Sequence, residues 1–439
     1  MRMKTAVFFL LFAALLLSAC DQLQEDPQIS PPLTPTANAL ATQPPSNPPQ
    51  VQLLATPEQP VQETGMLRVW IPPAIAVSTD AGAAVLSDQL ATYDTSHPEI
   101  ALTVEQKEVS GPGGLLSYLR TGRDVAPTIL PDLVAIPSEL LPVLAGENLI
   151  VPLGEDFDED ALESLFPPAQ AMAQPGDSTL GYPFVLTQLP HLAYNSNVLT
   201  GTLPLTWQRL ITEDERSMVF AADGPDGAVL ALQFYLDAGG VITVVNGQPS
   251  LELDPLVTAL EQIENGREEE FFIPQSSTLS TTAQVWQIFL SGGANIAHTV
   301  SDYYLAQTTA GLPVSFTVIP GLDRPLTPLV GGWAWAITTT NPVRQLQALN
   351  LLQDLVAPSN LARWSAASNL LPADRDALAL WADDPYVGFA RQELERAQAL
   401  PVSTSGRVLT VLSDAVFQVV SGARTAQQAA EEAIVAMQG

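Results

Sequence analysis

One cysteine, Cys20, stands in the 439 residues. No disulfide can form within the chain and no cysteine-built metal cluster can assemble, so whatever folds is held by its hydrophobic core alone. The chain is long enough for that: about 375 residues lie beyond position 65, sufficient for two domains with large cores.

The position of the cysteine carries a second message. Arg2 and Lys4 precede an uncharged apolar run from Ala6 to Leu17, the layout of a secretory signal and too short for a comfortable permanent span. The run ends in Leu17-Ser18-Ala19-Cys20, which resembles a bacterial lipobox. The resemblance implies that residues 1–20 are a lipoprotein signal and that Cys20 is lipidated. Several acyl chains would then hold the protein on the membrane far more firmly than one. From Asp21 to Gly65, Pro, Gln, Thr, Asn and Ser dominate, with Pro31-Pro32, Pro44-Pro45 and Pro48-Pro49 as doublets. Such a stretch buries too little apolar surface to offset its ordering entropy, so residues 21–65 read as a disordered Pro-rich tether.

The formal charge is −30, and removing Arg2 and Lys4 makes it two units more negative. Nucleic-acid binding needs basic patches; the scattered cations here exclude it. The three histidines, His97, His191 and His298, are far apart in sequence, and no H-x-x-x-H pair, phosphate-binding loop or nucleophile elbow is present. No cofactor, metal site or catalytic residue is expected. The glycines at 111–114 read as a turn.

Beyond the tether, strands and helices alternate. Met66–Ile71 reads as a buried strand, 80–94 as a helix, 100–109 as a half-buried strand, 115–119 as the start of a helix, 131–136 as an apolar strand and 138–144 as a helix. This order implies an open α/β sheet with ligand sites at the strand ends. After a break at Gly181–Asn195 a second α/β region follows, with strands near 218–221, 295–300, 314–319 and 331–337. The remainder is mainly helical.

Several landmarks, in order, resemble the extracellular solute-binding proteins of ABC importers, in the maltose-binding-like class (family 1). They are Leu67-Arg68-Val69-Trp70, Pro131-Asp132-Leu133-Val134, Gly181-Tyr182-Pro183 with Tyr194-Asn195, Thr206-Trp207, Phe289–Ala294 with Ile296-Ala297-His298, Gly331-Gly332, and Ser421-Gly422 through Ala429. The resemblance implies a two-lobed, periplasmic-binding-protein-like α/β fold (type II), each lobe a mixed sheet flanked by helices, joined by a hinge. Lobe one would comprise 66–185 plus 332–378, and lobe two 186–331 plus 379–439. It further implies a monomeric receptor that closes on a small solute, most simply a carbohydrate, and delivers it to the transmembrane subunits of an ABC permease. The protein would stay outside the cytoplasm, anchored through Cys20. Polyamine, peptide or another organic solute, a sensor lipoprotein and a secreted glycosidase are the alternatives; the last would need two facing carboxylates about 5–10 Å apart.

Sugar recognition calls for flat aromatic faces and planar polar groups. By family layout Tyr303 and Tyr304 stand at a stacking position, or pack on the lobe surface. Asp302 accepts hydroxyl hydrogen bonds or caps a helix. Trp333, after the glycine pair, meets ligand or hinge core, and Trp335 is core. Trp70 lines the cleft or is buried. Ile136, Ser138 and Glu139 lie at the third strand's end, where Ser138 and Glu139 are ligand partners or helix caps. Thr187 and Gln188 lie on the crossing between lobes. Trp207 belongs to the core of lobe two, and the histidines are structural.

Overall fold

A computed structural model describes residues 65–438 apart from 155–156, 158–159, 202, 246, 309–311, 383 and 402–405. Cys20, the apolar run before it and residues 21–64 of the expected tether lie outside the described residues. No helix among the described residues is long and apolar enough to cross a membrane.

Thirteen strands appear among the described residues: β1 (Gly65–Ile71), β2 (Ile100–Gln106), β3 (Leu133–Pro137), β4 (Tyr182–Thr187), β5 (Pro190–Asn195), β6 (Met218–Val219), β7 (Thr243–Val245), β8 (Gln248–Ser250), β9 (Ile296–Val300), β10 (Val314–Thr317), β11 (Leu329–Ile337), β12 (Leu371–Pro372) and β13 (Gln398–Ala399). The first sheet runs β12-β4-β11-β3-β1-β2, with β13 paired to β11; the second runs β10-β5-β9-β6; β7 and β8 form a separate hairpin. In the first sheet β2, β1 and β3 are parallel and β11 is antiparallel to both β3 and β4, so the sheet is mixed. Helices cover both of its faces, which is why Leu133–Ile136 is an unbroken apolar run. Asp132, fully buried, accepts from the Arg68 N–H at 2.9 Å and from Arg344 Nη2 at 2.6 Å. Both bonds go to Oδ2 and fix the start of β3 beside β1, while Oδ1 has no hydrogen-bond partner among the described residues.

Strand alternation splits the residues of β1 and β3 between two cores. Leu67, Val69, Ile71, Leu133 and Ala135 face one; Trp70, Val134 and Ile136 face the other, with Leu115 and Leu119 of the helix Leu115–Val125. The second sheet is covered by the helices Pro225–Asp237, Leu253–Glu268, Arg407–Val420 and Ala426–Gln438, which pack on one another. Trp207 is fully buried there, edge-on to Phe234 and Phe271, and its Nε1–H donates to the Gln262 carbonyl at 2.9 Å.

The chain passes between sheets three times. β4 ends at Thr187 and β5 begins at Pro190; β10 is in the second sheet and β11, from Leu329, is back in the first; the helix Arg407–Val420 returns to the second. The last crossing differs from the expected boundary at 378/379. The helix Pro385–Arg396 buries Tyr386, Val387, Ala390 and Leu394 along one stripe, packs on the helices Pro167–Ala173 and Arg375–Ala379, and is tied to the latter by Arg375–Glu395 at 2.6 Å. β13 then pairs with β11. Residues 379–399 therefore stay with the first sheet.

Candidate functional site

The ends of β3 and β4 and the start of β11 meet at one edge of the first sheet. Register puts Pro137 opposite Trp333, Gly331 opposite Thr187 and Gly332 opposite Leu186. A cavity of about 340 Å³ opens there, at the small end of the range of small-molecule sites. Ser138 and Glu139 enter it from the end of β3, Thr187 and Gln188 from the end of β4, and Gly331, Gly332 and Trp333 from β11; Met172 and the segment Ala399–Pro401 close it. Five of the ten expected ligand residues thus come together: Ser138, Glu139, Thr187, Gln188 and Trp333.

Ser138 is 2% exposed and its Oγ has no hydrogen-bond partner among the described residues. An unsatisfied buried hydroxyl is costly, and this one belongs to a residue of the cavity wall. Burial pushes the Glu139 carboxyl above its usual range, opposed only in part by its own backbone N–H. The residues that line the cavity include no Lys, Arg or His. A Cβ on Gly332 would stand 2.7 Å from the Val185 carbonyl oxygen and 3.3 Å from Ser138 Oγ; one on Gly331 would stand 3.2 Å from Thr187 Oγ1. The glycine pair therefore keeps β11 close to β4 and keeps the cavity open. We expect Gly332→Ala to cost about 1–2 kcal/mol by overpacking, read as a lower urea midpoint.

The crossing beside the cavity is pinned from the second sheet. Gln188 sits at φ 59°, a left-handed conformation uncommon for a residue with a Cβ. Its N–H donates to both carboxylate oxygens of Asp302, at 3.1 and 3.3 Å, and the Leu189 N–H donates to Ser301 Oγ at 3.2 Å. Asp302 also accepts from Ser301 Oγ at 2.8 Å. Burial nevertheless pushes the Asp302 carboxyl up to about 6, the hydrogen bonds from Ser301 and Gln188 opposing. Asp302 thus holds the crossing instead of lining the cavity.

Four further expectations are corrected or moved. Trp70 and Ile136 are core: alternation turns them away from the cavity, and Trp70 lies edge-on to Tyr118 at 5.7 Å with Lys107 Nζ 5.4 Å from its ring. Tyr304 stacks on Tyr386, 4.3 Å apart at 18°. Tyr303 packs near Trp286, 5.9 Å between ring centres. Trp335 is core as expected, stacked on Phe184. Met172 and Ala399–Pro401 escaped the sequence reading because nothing local marks them; only closure of the fold brings them to the β11 edge.

A second cavity, of about 830 Å³, lies between the helix Pro358–Ala367 with Trp381 and Tyr386 on one side and Tyr304, Leu305, Leu312 and Val314 on the other. It is walled largely by apolar side chains. His191 and His298 are buried, and burial lowers both rings, His191 to about 3; neither is available for proton transfer near neutrality. No group of His, Cys, Asp and Glu among the described residues is placed to hold a metal.

A family model described as a bacterial extracellular solute-binding protein matches residues 116–388, more than half of the chain. The chain belongs to that family. Solved solute-binding proteins share the fold. The GacH receptor of Streptomyces glaucescens, studied unliganded and with acarbose, superposes with a TM-score of 0.63 at 16% identity. The maltose-binding periplasmic protein MalE of Listeria monocytogenes, in complex with maltose, gives 0.67 at 14%, and the cyclic α-maltosyl-1,6-maltose binding protein of Arthrobacter globiformis 0.67 at 16%. Each comparison covers 85% of this chain and 97% of the other. No curated protein sequence matches. The two-lobed α/β architecture of this solute-binding protein is that of its structural neighbours.

Proposed function

We propose that this solute-binding protein is a lipid-anchored receptor outside the cytoplasm that captures a small carbohydrate between its lobes and hands it to an ABC import permease. The observation that carries the reading is the cavity at the first crossing, where a glycine pair leaves room beside the Trp333 ring, the Ser138 hydroxyl has no hydrogen-bond partner and Glu139 has no ion pair among the described residues. An indole offers an apolar face to a sugar ring, and the polar groups fix its orientation. The sugar ligands named for the structural neighbours agree with this choice. Binding with hinge closure is the whole mechanism; no bond is made or broken. The acyl chains on Cys20, with residues 21–64 as tether, would keep the receptor near its permease.

Calorimetric titration of the full chain in detergent against a panel of sugars and polyols tests the reading. One sugar class binds, and Trp333→Ala weakens it at least tenfold, about 1.4 kcal/mol. Binding that survives in Trp333→Ala places the solute elsewhere. Cys20→Ser, expressed in a bacterium, moves the protein from the membrane fraction to the soluble extracytoplasmic fraction; retention on the membrane excludes the lipid anchor.

A further inference from the structure

The charge around the carbohydrate cavity is one-sided. Glu139 is the only charged residue among those lining it, and its carboxylate has no ion pair among the described residues. A further carboxylate adjoins the lining: that of Asp302 accepts from the N–H of Gln188, itself a lining residue. No basic group opposes the upward push that burial gives either acid. A first-turn acid is ordinarily explained by the helix it precedes, where it stays solvated and meets the N-terminal dipole. Glu139 does not fit that account, being half-buried in a cavity beside a serine hydroxyl that also has no partner.

Closing the lobes would strip the remaining water from this carboxylate. An uncompensated buried charge is among the most costly features a fold can hold, and a neutral hydroxyl returns only part of the lost hydration. An ammonium returns the most, through a short charge-assisted hydrogen bond. An anionic solute would meet like charge from Glu139 with no cation to receive it.

Building on the carbohydrate reading, we propose that the cavity takes a sugar or polyol bearing a protonated amine, with the ammonium on Glu139 and the ring against Trp333. Ser138 Oγ then accepts from, or donates to, a neighbouring hydroxyl. Glu139 becomes the residue that selects the amine, and Trp333 the residue that recognises a ring of either charge.

The test is calorimetric titration of the full chain with matched pairs: glucosamine and glucose, galactosamine and galactose, mannosamine and mannose, and the β-1,4-linked diglucosamine with cellobiose and N,N′-diacetylchitobiose. Spermidine is included as a cation without a ring. At least one amine is expected to bind tenfold or more tightly than its neutral counterparts. Glu139→Gln should shrink the difference between amine and neutral member to within about twofold, and Ser138→Ala should weaken both members of a pair by the same factor. Thermal melting confirms that each variant is folded. Neutral sugars that bind as tightly as their amines overturn the amine requirement and leave the carbohydrate receptor standing. Spermidine binding lost in Glu139→Gln, with no sugar bound, keeps the cation site and ends the carbohydrate reading. Binding by none of the panel overturns both.

Discussion

Replacing Tyr386 with alanine should lower the unfolding free energy by about 3–5 kcal/mol, as expected for emptying a large buried aromatic site. Tyr386→Phe should leave it unchanged or slightly raised. Tyr386 is 3% exposed, and its hydroxyl has no hydrogen-bond partner among the described residues. Removing an unsatisfied buried hydroxyl relieves a desolvation cost, whereas removing the ring leaves a cavity. The ring joins two parts of the fold. It belongs to the helix Pro385–Arg396 on the first sheet's side. It stacks on Tyr304 of the helix Ser301–Gln307 and lies edge-on to Phe316 of β10, at 5.2 Å between ring centres. His191 and Phe389 complete the group, at 5.4 and 5.8 Å. Tyr304→Ala should therefore act like Tyr386→Ala, lowering stability while leaving the affinity of the Trp333 cavity within a few-fold. Urea unfolding of the four proteins, with calorimetry on the folded variants, checks both statements. A Tyr304→Ala protein of unchanged stability that no longer binds solute would return Tyr304 to the site.

That contrast shows what a sequence of this kind discloses. Strands buried on both faces announce themselves as apolar runs, so Leu133–Ile136 and the Gly331–Ile337 part of β11 are legible, and amphipathic spacing marks helices such as Asp80–Ser96. The helix Leu253–Glu268 is legible too, through Leu256, Ala259, Leu260 and Ile263 on one stripe. Periodicity does not say which of two buried faces borders a cleft. Trp70 and Ile136 fall near the right strand ends but on the covered face, whereas Ser138 and Glu139, just past the end of β3, fall in the cavity. Likewise, an aromatic pair after β9 looks the same in sequence whether its partner is a solute or Tyr386, because residue 386 is 82 positions away in the chain. Asp302, expected to accept hydroxyl hydrogen bonds or to cap a helix, accepts the Gln188 N–H instead, a role that appears only once β4, β5 and β9 are assembled.

Asp302 gives the fold a pH dependence of defined sign. Its carboxyl is raised from an ordinary value of 3.8 to about 6 by burial, so the folded protein holds this proton more tightly than the unfolded chain does. Protonated Asp302 therefore favours folding. That contribution is fully present below about pH 4 and is lost as pH rises through about 6. A displacement of two pH units corresponds to about 2–3 kcal/mol. Asparagine is close in shape, accepts the Gln188 N–H and Ser301 hydroxyl through its amide oxygen, and cannot ionise. The stability of the native protein minus that of Asp302→Asn should then fall by about 2–3 kcal/mol between pH 4 and pH 7 and be flat outside that window. The subtraction removes Glu139 and Asp354, whose carboxyls are also raised by burial. A difference flat from pH 4 to 7 would show that Asp302 titrates as a solvated carboxylate. Asp302→Ala, which removes both acceptors and strands the Gln188 N–H, should be less stable than Asp302→Asn by about 1–3 kcal/mol. The left-handed residue at the crossing is thus held by an acid whose ionisation weakens the fold, and near neutrality the crossing keeps its geometry at the expense of stability.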